Sequence, residues 1–88
     1  MTKRNFEIQN DNLISISPNP ASDKLVIHRT KEGNAINVQI LNYAGQILIN
    51  KTNFKNDFID IENLSNGIYL LKYSDGRNFA LKKFVVRH

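Results

Sequence analysis

The sequence predicts an all-β domain: an immunoglobulin-like sandwich of two antiparallel sheets, with about seven strands and no long helix. Three observations predict it. Short segments alternate apolar and polar residues, these segments are rich in β-branched and aromatic side chains, and turn residues separate them. No window of about 11 residues keeps the apolar spacing of a helix without a glycine or a change of phase. The 88 residues are enough for one such domain.

Seven segments have the pattern of a strand. In segment 58–61, Ile59 and Ile61 face one way and Asp60 faces the other, so one side of this strand meets water. Segment 68–73 has apolar side chains on both faces and is predicted to be a central strand that is covered on both sides. The predicted strands are 13–16, 24–28, 36–41, 46–50, 58–61, 68–73 and 79–86.

Turn residues mark the corners between these strands. Asp75 and Gly76 predict that the last two strands form an antiparallel hairpin, with a two-residue loop in which both residues have positive φ. Gly45 lies where a left-handed residue would return the chain, a conformation that costs a residue with a side chain about 1–2 kcal/mol. A left-handed residue is also predicted at two further corners, at Gly33 and Gly67.

The segment before the second predicted strand contains the only two prolines of the chain, Pro18 and Pro20. Each proline fixes its own φ and favours an extended conformation of the residue before it, so the segment is stiff and resists extension into an edge ladder. The side chains of Asn19 and Asp23 can accept hydrogen bonds from backbone N–H groups in such a turn. The residues alone favour a rigid corner between strands, and a preformed corner would also suit recognition by a partner.

The residues give little support to catalysis or metal binding. His28 alternates with apolar residues on a strand, and neither it nor His88 has a nucleophile or second ligand at a meaningful spacing. The chain contains no cysteine, which excludes a disulfide or a thiolate metal site. Asp57, Asp60 and Glu62 match no cation-binding loop. We therefore expect a protein that is not an enzyme and has no cofactor.

The net charge of +4 raises the question of nucleic-acid binding. The basic residues are scattered, except for a cluster of Lys82, Lys83 and Arg87. This distribution does not predict a nucleic-acid partner. The two lysines interrupt the alternation between Leu81 and Phe84, which indicates either a bulge that turns a charged side chain outward or simple protection of a strand edge.

Four short motifs occur in order along the chain. They comprise Pro18, Asn19, Pro20, Asp23 and Leu25; Gly45; Leu64, Gly67 and Tyr69; and a lysine at Lys82 or Lys83. One of these motifs alone would be a weak signal, whereas all four in this order and spacing are specific. Together they resemble the C-terminal sorting domain of cargo proteins of the type IX (Por) secretion system of Gram-negative bacteria.

This resemblance implies a non-enzymatic signal that directs an attached cargo protein across the outer membrane, through the periplasm to the cell surface or the medium. The implied partners are the outer-membrane translocon and shuttle protein of the system, a sortase-like surface peptidase, and the covalently linked upstream cargo domain. Residues 13–88 would form the sorting domain and residues 1–12 the linker from the cargo. The domain would be cleaved or anchored at the cell surface, and the peptidase would cut within or before that linker.

A second interpretation is a small β-sandwich module that binds carbohydrate or protein and belongs to a surface enzyme. Tyr43, Tyr69 and Tyr73 could form its aromatic platform, but Tyr69 and Tyr73 lie in the segment with the most buried pattern, which favours core packing. Nucleic-acid binding rests on net charge alone, and catalysis has the least support.

Overall fold

The structure, a computed structural model, describes residues 7–30 and 35–88, and this part of the chain forms eight strands. The strands are β1 (Ile8–Gln9), β2 (Ile14–Ser17), β3 (Lys24–Arg29), β4 (Ala35–Asn42), β5 (Ile47–Phe54), β6 (Phe58–Asp60), β7 (Gly67–Ser74) and β8 (Asn78–Val86). They form a five-stranded sheet in the order β1-β8-β7-β4-β5 and a three-stranded sheet in the order β2-β3-β6. A single turn of 3-10 helix, Asp11–Leu13, precedes β2.

The prediction of an all-β fold with two sheets is confirmed. Both sheets contribute side chains to one hydrophobic core, as expected of a sandwich. Leu25 of β3 and Val38, Leu71 and Phe84 of the larger sheet have no exposed surface. The immunoglobulin-like topology stays a prediction. Within the described residues, no helix is long and apolar enough to cross a membrane.

All seven predicted strands are present, and β1 is an addition. It pairs with β8 in parallel, whereas the sequence predicted antiparallel sheets throughout. β5 continues to Phe54, beyond the predicted end at residue 50, because its polar residues pair with β4 although they interrupt the apolar pattern. β5 is an edge strand of the five-stranded sheet, which explains why so few of its side chains are buried.

The prediction that the segment of β7 is covered on both faces is wrong. Tyr69, Leu71 and Tyr73 are buried on the inner face, which confirms their packing in the core. Ile68 on the opposite face is 45% exposed. The strand is central in its sheet, but the smaller sheet covers only one side of it.

The hairpin between β7 and β8 is confirmed, but its loop differs from the predicted one. Of Asp75 and Gly76, only Gly76 has positive φ, at 93°. Asp75 does not need that conformation, because its carboxylate accepts hydrogen bonds from the N–H groups of Arg77 at 2.9 Å and Asn78 at 2.6 Å. Partial burial raises the pKa of Asp75, but the hydrogen bonds from Asn78 and Arg77 lower it more, and the resulting pKa lies below the ordinary value.

Three further expectations concern local geometry: one of the two alternatives for the lysines is excluded, the expectation for Gly67 is wrong, and that for Gly33 lies outside the described residues. The pairing of β7 with β8 runs without a shift through Lys82 and Lys83, so there is no bulge at the lysines. Gly67 does not have positive φ, since it is the first residue of β7 and pairs with Val86. Gly33 is not among the described residues.

Candidate functional site

The proline corner, residues 18–23, connects β2 to β3 and is bonded to the C-terminal strand. The peptide bonds before Pro18 and Pro20 are both cis. Between the two prolines, Asn19 Oδ1 accepts a hydrogen bond from the N–H of Val85 at 2.9 Å. Ala21 forms a parallel bridge with Val86. Its N–H donates to the Val85 carbonyl at 2.8 Å, and its own carbonyl accepts from the Arg87 N–H at 2.9 Å. The corner thus joins the two sheets.

Asp23 and Leu25 hold this corner to the smaller sheet. The Asp23 carboxylate accepts a hydrogen bond from the Lys24 N–H at 2.9 Å, and its backbone carbonyl accepts from the Ile61 N–H at 2.8 Å. Leu25 is fully buried and lies opposite Ile59 of β6. Both motif residues therefore have a structural role in fixing where the corner lies.

The motif around Tyr69 forms a second element at the same place. The Tyr69 hydroxyl donates a hydrogen bond to the Ser65 carbonyl at 2.6 Å. Its ring stacks on Phe84 of β8 with 5.8 Å between ring centroids. Leu64 is half-buried against the core. Tyr69 thereby connects the turn before β7 to the last strand: its hydroxyl binds the turn and its ring packs on β8.

The end of the chain folds onto this turn. The His88 N–H donates to the Asn66 side-chain oxygen at 2.8 Å. The Nε2 atom of His88 lies 2.6 Å from the Leu64 carbonyl oxygen. Gly67 pairs with Val86 at the start of β7. The segment that carries the Leu64, Gly67 and Tyr69 motif therefore contacts the last residues of the chain.

The turn between β4 and β5 lies at this end as well, because Asn42 of β4 is paired with Tyr69 of β7. Gly45 has φ +86°, which confirms the predicted left-handed residue. The Asn42 side-chain oxygen accepts hydrogen bonds from the N–H groups of Ala44 at 3.0 Å and Gln46 at 2.9 Å. We call the surface formed by residues 18–21, 42–46, 64–67 and 85–88 the motif end.

The lysine motif lies apart from the motif end, farther along β8. Lys83 is opposite Leu70 and is exposed, whereas Lys82 is opposite Leu71 and half-buried. Lys82 lies on the inner face of the sheet, in phase with buried Ala80 and Phe84. The structure thus brings together three of the four motifs, and the lysines extend from them along the last strand.

Exposed apolar side chains lie at and around the motif end, and of these Tyr43 alone was a candidate binding residue from the sequence. Tyr43 is 64% exposed, Ile47 53%, Leu48 45% and Ile68 45%. Ile68 faces outward from β7, opposite Val85 of β8. The exposure of Ile68 has no signal in the sequence, because the whole segment is apolar and the burial of its two faces differs only in the folded sheet.

The N-terminal residues of the described chain cover the free side of β8. The Ile8 N–H donates to the Arg77 carbonyl at 3.0 Å, and the Asn10 N–H donates to the Phe79 carbonyl at 2.7 Å. The Leu81 N–H donates to the Asp11 carboxylate at 3.1 Å. This hydrogen bond, followed by one from Gln9, lowers the pKa of Asp11. The division into a linker at 1–12 and a domain at 13–88 stays a prediction.

The described residues contain little that could perform chemistry. Among them there is no group of three or more His, Cys, Asp or Glu side chains that could hold a metal ion. His28 Nε2 lies 2.8 Å from the Ser17 hydroxyl on an exposed strand face. No carboxylate of the described part of the chain is hydrogen-bonded to that imidazole, so the pair lacks the orienting acid of a hydrolytic triad.

A match to a known protein family covers all four motifs. The family described as the secretion system C-terminal sorting domain matches residues 15–87, which include the proline corner, the Gly45 turn, the Tyr69 motif and the lysines. No curated protein sequence matches the chain. From its sequence and its all-β fold, the chain belongs to the family of type IX secretion C-terminal sorting domains.

Proposed function

We propose that this domain is a non-enzymatic secretion signal that directs an attached cargo protein across the outer membrane through the type IX system. The observation that supports it most is the convergence at the motif end. Asn19, Ala21 and Asn66 are bonded to the last four residues of the chain, although they are far from them in sequence. A secretion system that exports unrelated cargoes can recognise them by the shape of such a surface on the attached domain.

We propose that the shuttle protein and the outer-membrane translocon contact the motif end and its apolar surroundings. A corner that is already bonded in place loses little conformational entropy when a partner binds. Exposed side chains such as Ile68 and Tyr43 supply apolar surface whose removal from water favours association. Shape and apolar contact, rather than a reactive group, then account for recognition.

The proposed route passes through the periplasm to the cell surface or the medium, with the cargo covalently linked upstream. A sortase-like surface peptidase then removes the domain from the cargo. Peptidases act on accessible, extended backbone, and the backbone of Ile8 and Asn10 is bonded to β8. This favours a cut upstream of Ile8.

A reporter protein tests the proposed function. Residues 1–88 are fused to the C-terminus of a reporter that carries a signal peptide for the inner membrane, in a bacterium with a type IX system. The expected result is reporter at the surface or in the medium, and its retention in the periplasm would overturn the function. A strain without the translocon controls for leakage.

Paired variants of the same fusion test the recognition surface. Ile68→Asp changes the apolar surroundings of the motif end, and we expect it to block export. Ile36→Asp is the matched control, since Ile36 is a 54% exposed isoleucine at the opposite end of the larger sheet. If the Ile68 variant were exported as efficiently as the Ile36 variant, the proposed recognition surface would be wrong, and the proposed function would still stand. Folding of both is checked by circular dichroism.

The alternative, a carbohydrate-binding or protein-binding module of a surface enzyme, has weaker support. Tyr69 and Tyr73 are buried, so of the three tyrosines only Tyr43 is exposed to a ligand. Retention on a glycan array that disappears in Tyr43→Ala would favour this alternative.

A further inference from the structure

The two edges of the five-stranded sheet differ in how they are covered. Along β8, the outer edge is occupied by β1, by the Asp11 carboxylate and by the bridge from Ala21. At the opposite edge, β5 has β4 on one side, and within residues 7–30 and 35–88 no strand pairs with its other side. Such an edge presents a row of N–H and C=O groups that can pair with an added strand.

A groove follows this open edge. It has a volume of about 510 Å³ and lies between β5 and β6, which is the edge strand of the smaller sheet. Its apolar lining comes from Ile49, Phe54, Phe58 and Ile59. Phe58 is 41% exposed, so an incoming side chain would find apolar surface beside the backbone of β5.

The charges around this groove are mainly positive. Lys51 and Lys55 line it, and the Lys24 ammonium lies 4.7 Å from the centroid of the Phe58 ring. Asp60 also lines the groove and is the one carboxylate among its lining residues. Nearby Asp57 is paired with Arg29 at 2.8 Å. The charge therefore favours an acidic occupant.

We propose that the β5 edge and this groove form a strand-addition site for an extended, acidic segment of a partner protein. Backbone hydrogen bonds to β5 would supply affinity, and every second side chain of the segment would enter the groove. A second copy of this chain fits less well, because edge-to-edge pairing of two β5 strands would bring their lysines together. The site goes beyond the secretion signal and is separate from the motif end.

Binding to defined peptides tests this site on the 15N-labelled chain of residues 1–88. The probe is a short, soluble peptide of alternating glutamate and valine. We expect saturable chemical-shift changes in β5 and β6 and slower amide exchange along β5. The same peptide with a central proline should fail to bind, because it loses a hydrogen-bond donor and the extended register.

Charge variants identify the groove as the binding site. Lys51→Glu combined with Lys55→Glu should weaken binding of the acidic peptide by about tenfold, as expected for the loss of two exposed charge pairs. The double variant should gain affinity for a peptide of alternating lysine and valine. Lys83→Glu combined with Arg87→Glu is the matched control, since it also reverses two exposed charges but away from the groove, and it should bind the acidic peptide as the unmodified chain does.

Four results would each overturn the proposal. One is equal binding of the acidic and basic peptides. Another is a set of shift changes centred on the Ile68 face instead of on β5. Concentration-dependent changes in β5 without any peptide would identify a second copy as the occupant. Failure of the acidic peptide to bind would mean that the lysines only protect the edge from pairing. None of these results bears on export of the reporter.

Discussion

Asn19 and Val85 lie 66 residues apart in sequence, yet the side-chain oxygen of Asn19 accepts a hydrogen bond from the Val85 N–H at 2.9 Å. The flanking residues Pro18 and Pro20 have no N–H group to offer. The corner therefore pairs with β8 through an asparagine side chain and then through the backbone of Ala21, which donates to and accepts from the last strand. In this way a segment rich in proline still pairs with backbone hydrogen-bonding groups at the outer edge of β8.

Asn19→Ala should lower the free energy of unfolding by about 1–2 kcal/mol, because it leaves the Val85 N–H without its acceptor. Urea denaturation measures the loss, and faster amide exchange at Val85 shows where it arises. Asn12→Ala is the matched control, since Asn12 is exposed and its side chain makes no hydrogen bond to the described residues. Equal stability of the two variants would mean that the Asn19 bond contributes nothing net.

A substitution at Gly45 isolates the cost of a left-handed backbone. Its φ is +86°, and a Cβ atom there would have no neighbour within 4 Å, so a side chain is strained but not crowded. Gly45→Ala should cost about 1 kcal/mol and Gly45→Asn less, because asparagine tolerates this conformation. Gly45→Val should be the worst of the three. Thermal unfolding of the set checks this order, and an equal cost for alanine and asparagine would contradict it.

The strands could be predicted from the sequence because each shows its character locally. Alternation at Ile59 and Ile61 and the β-branched run in segment 36–41 depend only on neighbouring residues. The left-handed Gly45 was predictable for the same reason. Predicting the loop at Asp75 failed, because a carboxylate that accepts two backbone N–H groups can replace a positive φ in closing the turn.

The assembly of the motif end could not be predicted, since it depends on contacts between distant residues. The alternation around Lys82 suggested a bulge, but the pairing with β7 is regular and the lysine is half-buried on the inner face of the sheet. Neither the bond from Asn19 to Val85 nor the pairing of β1 with β8 has a local signature. The motif residues were identified by resemblance, and their contacts emerge only from the fold.

Acid should weaken the contact between the Asp11 carboxylate and β8, whereas the backbone pairing of β1 with β8 does not titrate. The pKa of Asp11 is lowered, first by the hydrogen bond from Leu81 and then by the one from Gln9. A carboxyl whose folded pKa lies below its unfolded value stabilises the fold fully above the unfolded pKa, and this contribution is lost as pH falls through the folded pKa. The loss should therefore begin below the ordinary value of 3.8.

The Leu81 amide resonance, followed by NMR from neutral pH downward, measures the loss of this contact. Its chemical shift should change with a midpoint below 3.8, since its N–H donates to the Asp11 carboxylate. In Asp11→Asn the same resonance should show no such step. A midpoint above 3.8, or an unchanged step in the variant, would show that another group controls the contact.

The Tyr69 hydroxyl should stabilise the turn that holds the end of the chain. Tyr69→Phe removes the hydrogen bond to the Ser65 carbonyl but keeps the ring that stacks on Phe84, so the expected loss is about 1 kcal/mol in urea denaturation. Because the His88 N–H is bonded to Asn66 in the same turn, its amide exchange should also become faster. Tyr43→Phe is the matched control, since Tyr43 is 64% exposed and its loss of a hydroxyl should leave both measurements unchanged. If Tyr69→Phe lowered stability without affecting exchange at His88, the hydroxyl would act on the core alone and not on the turn.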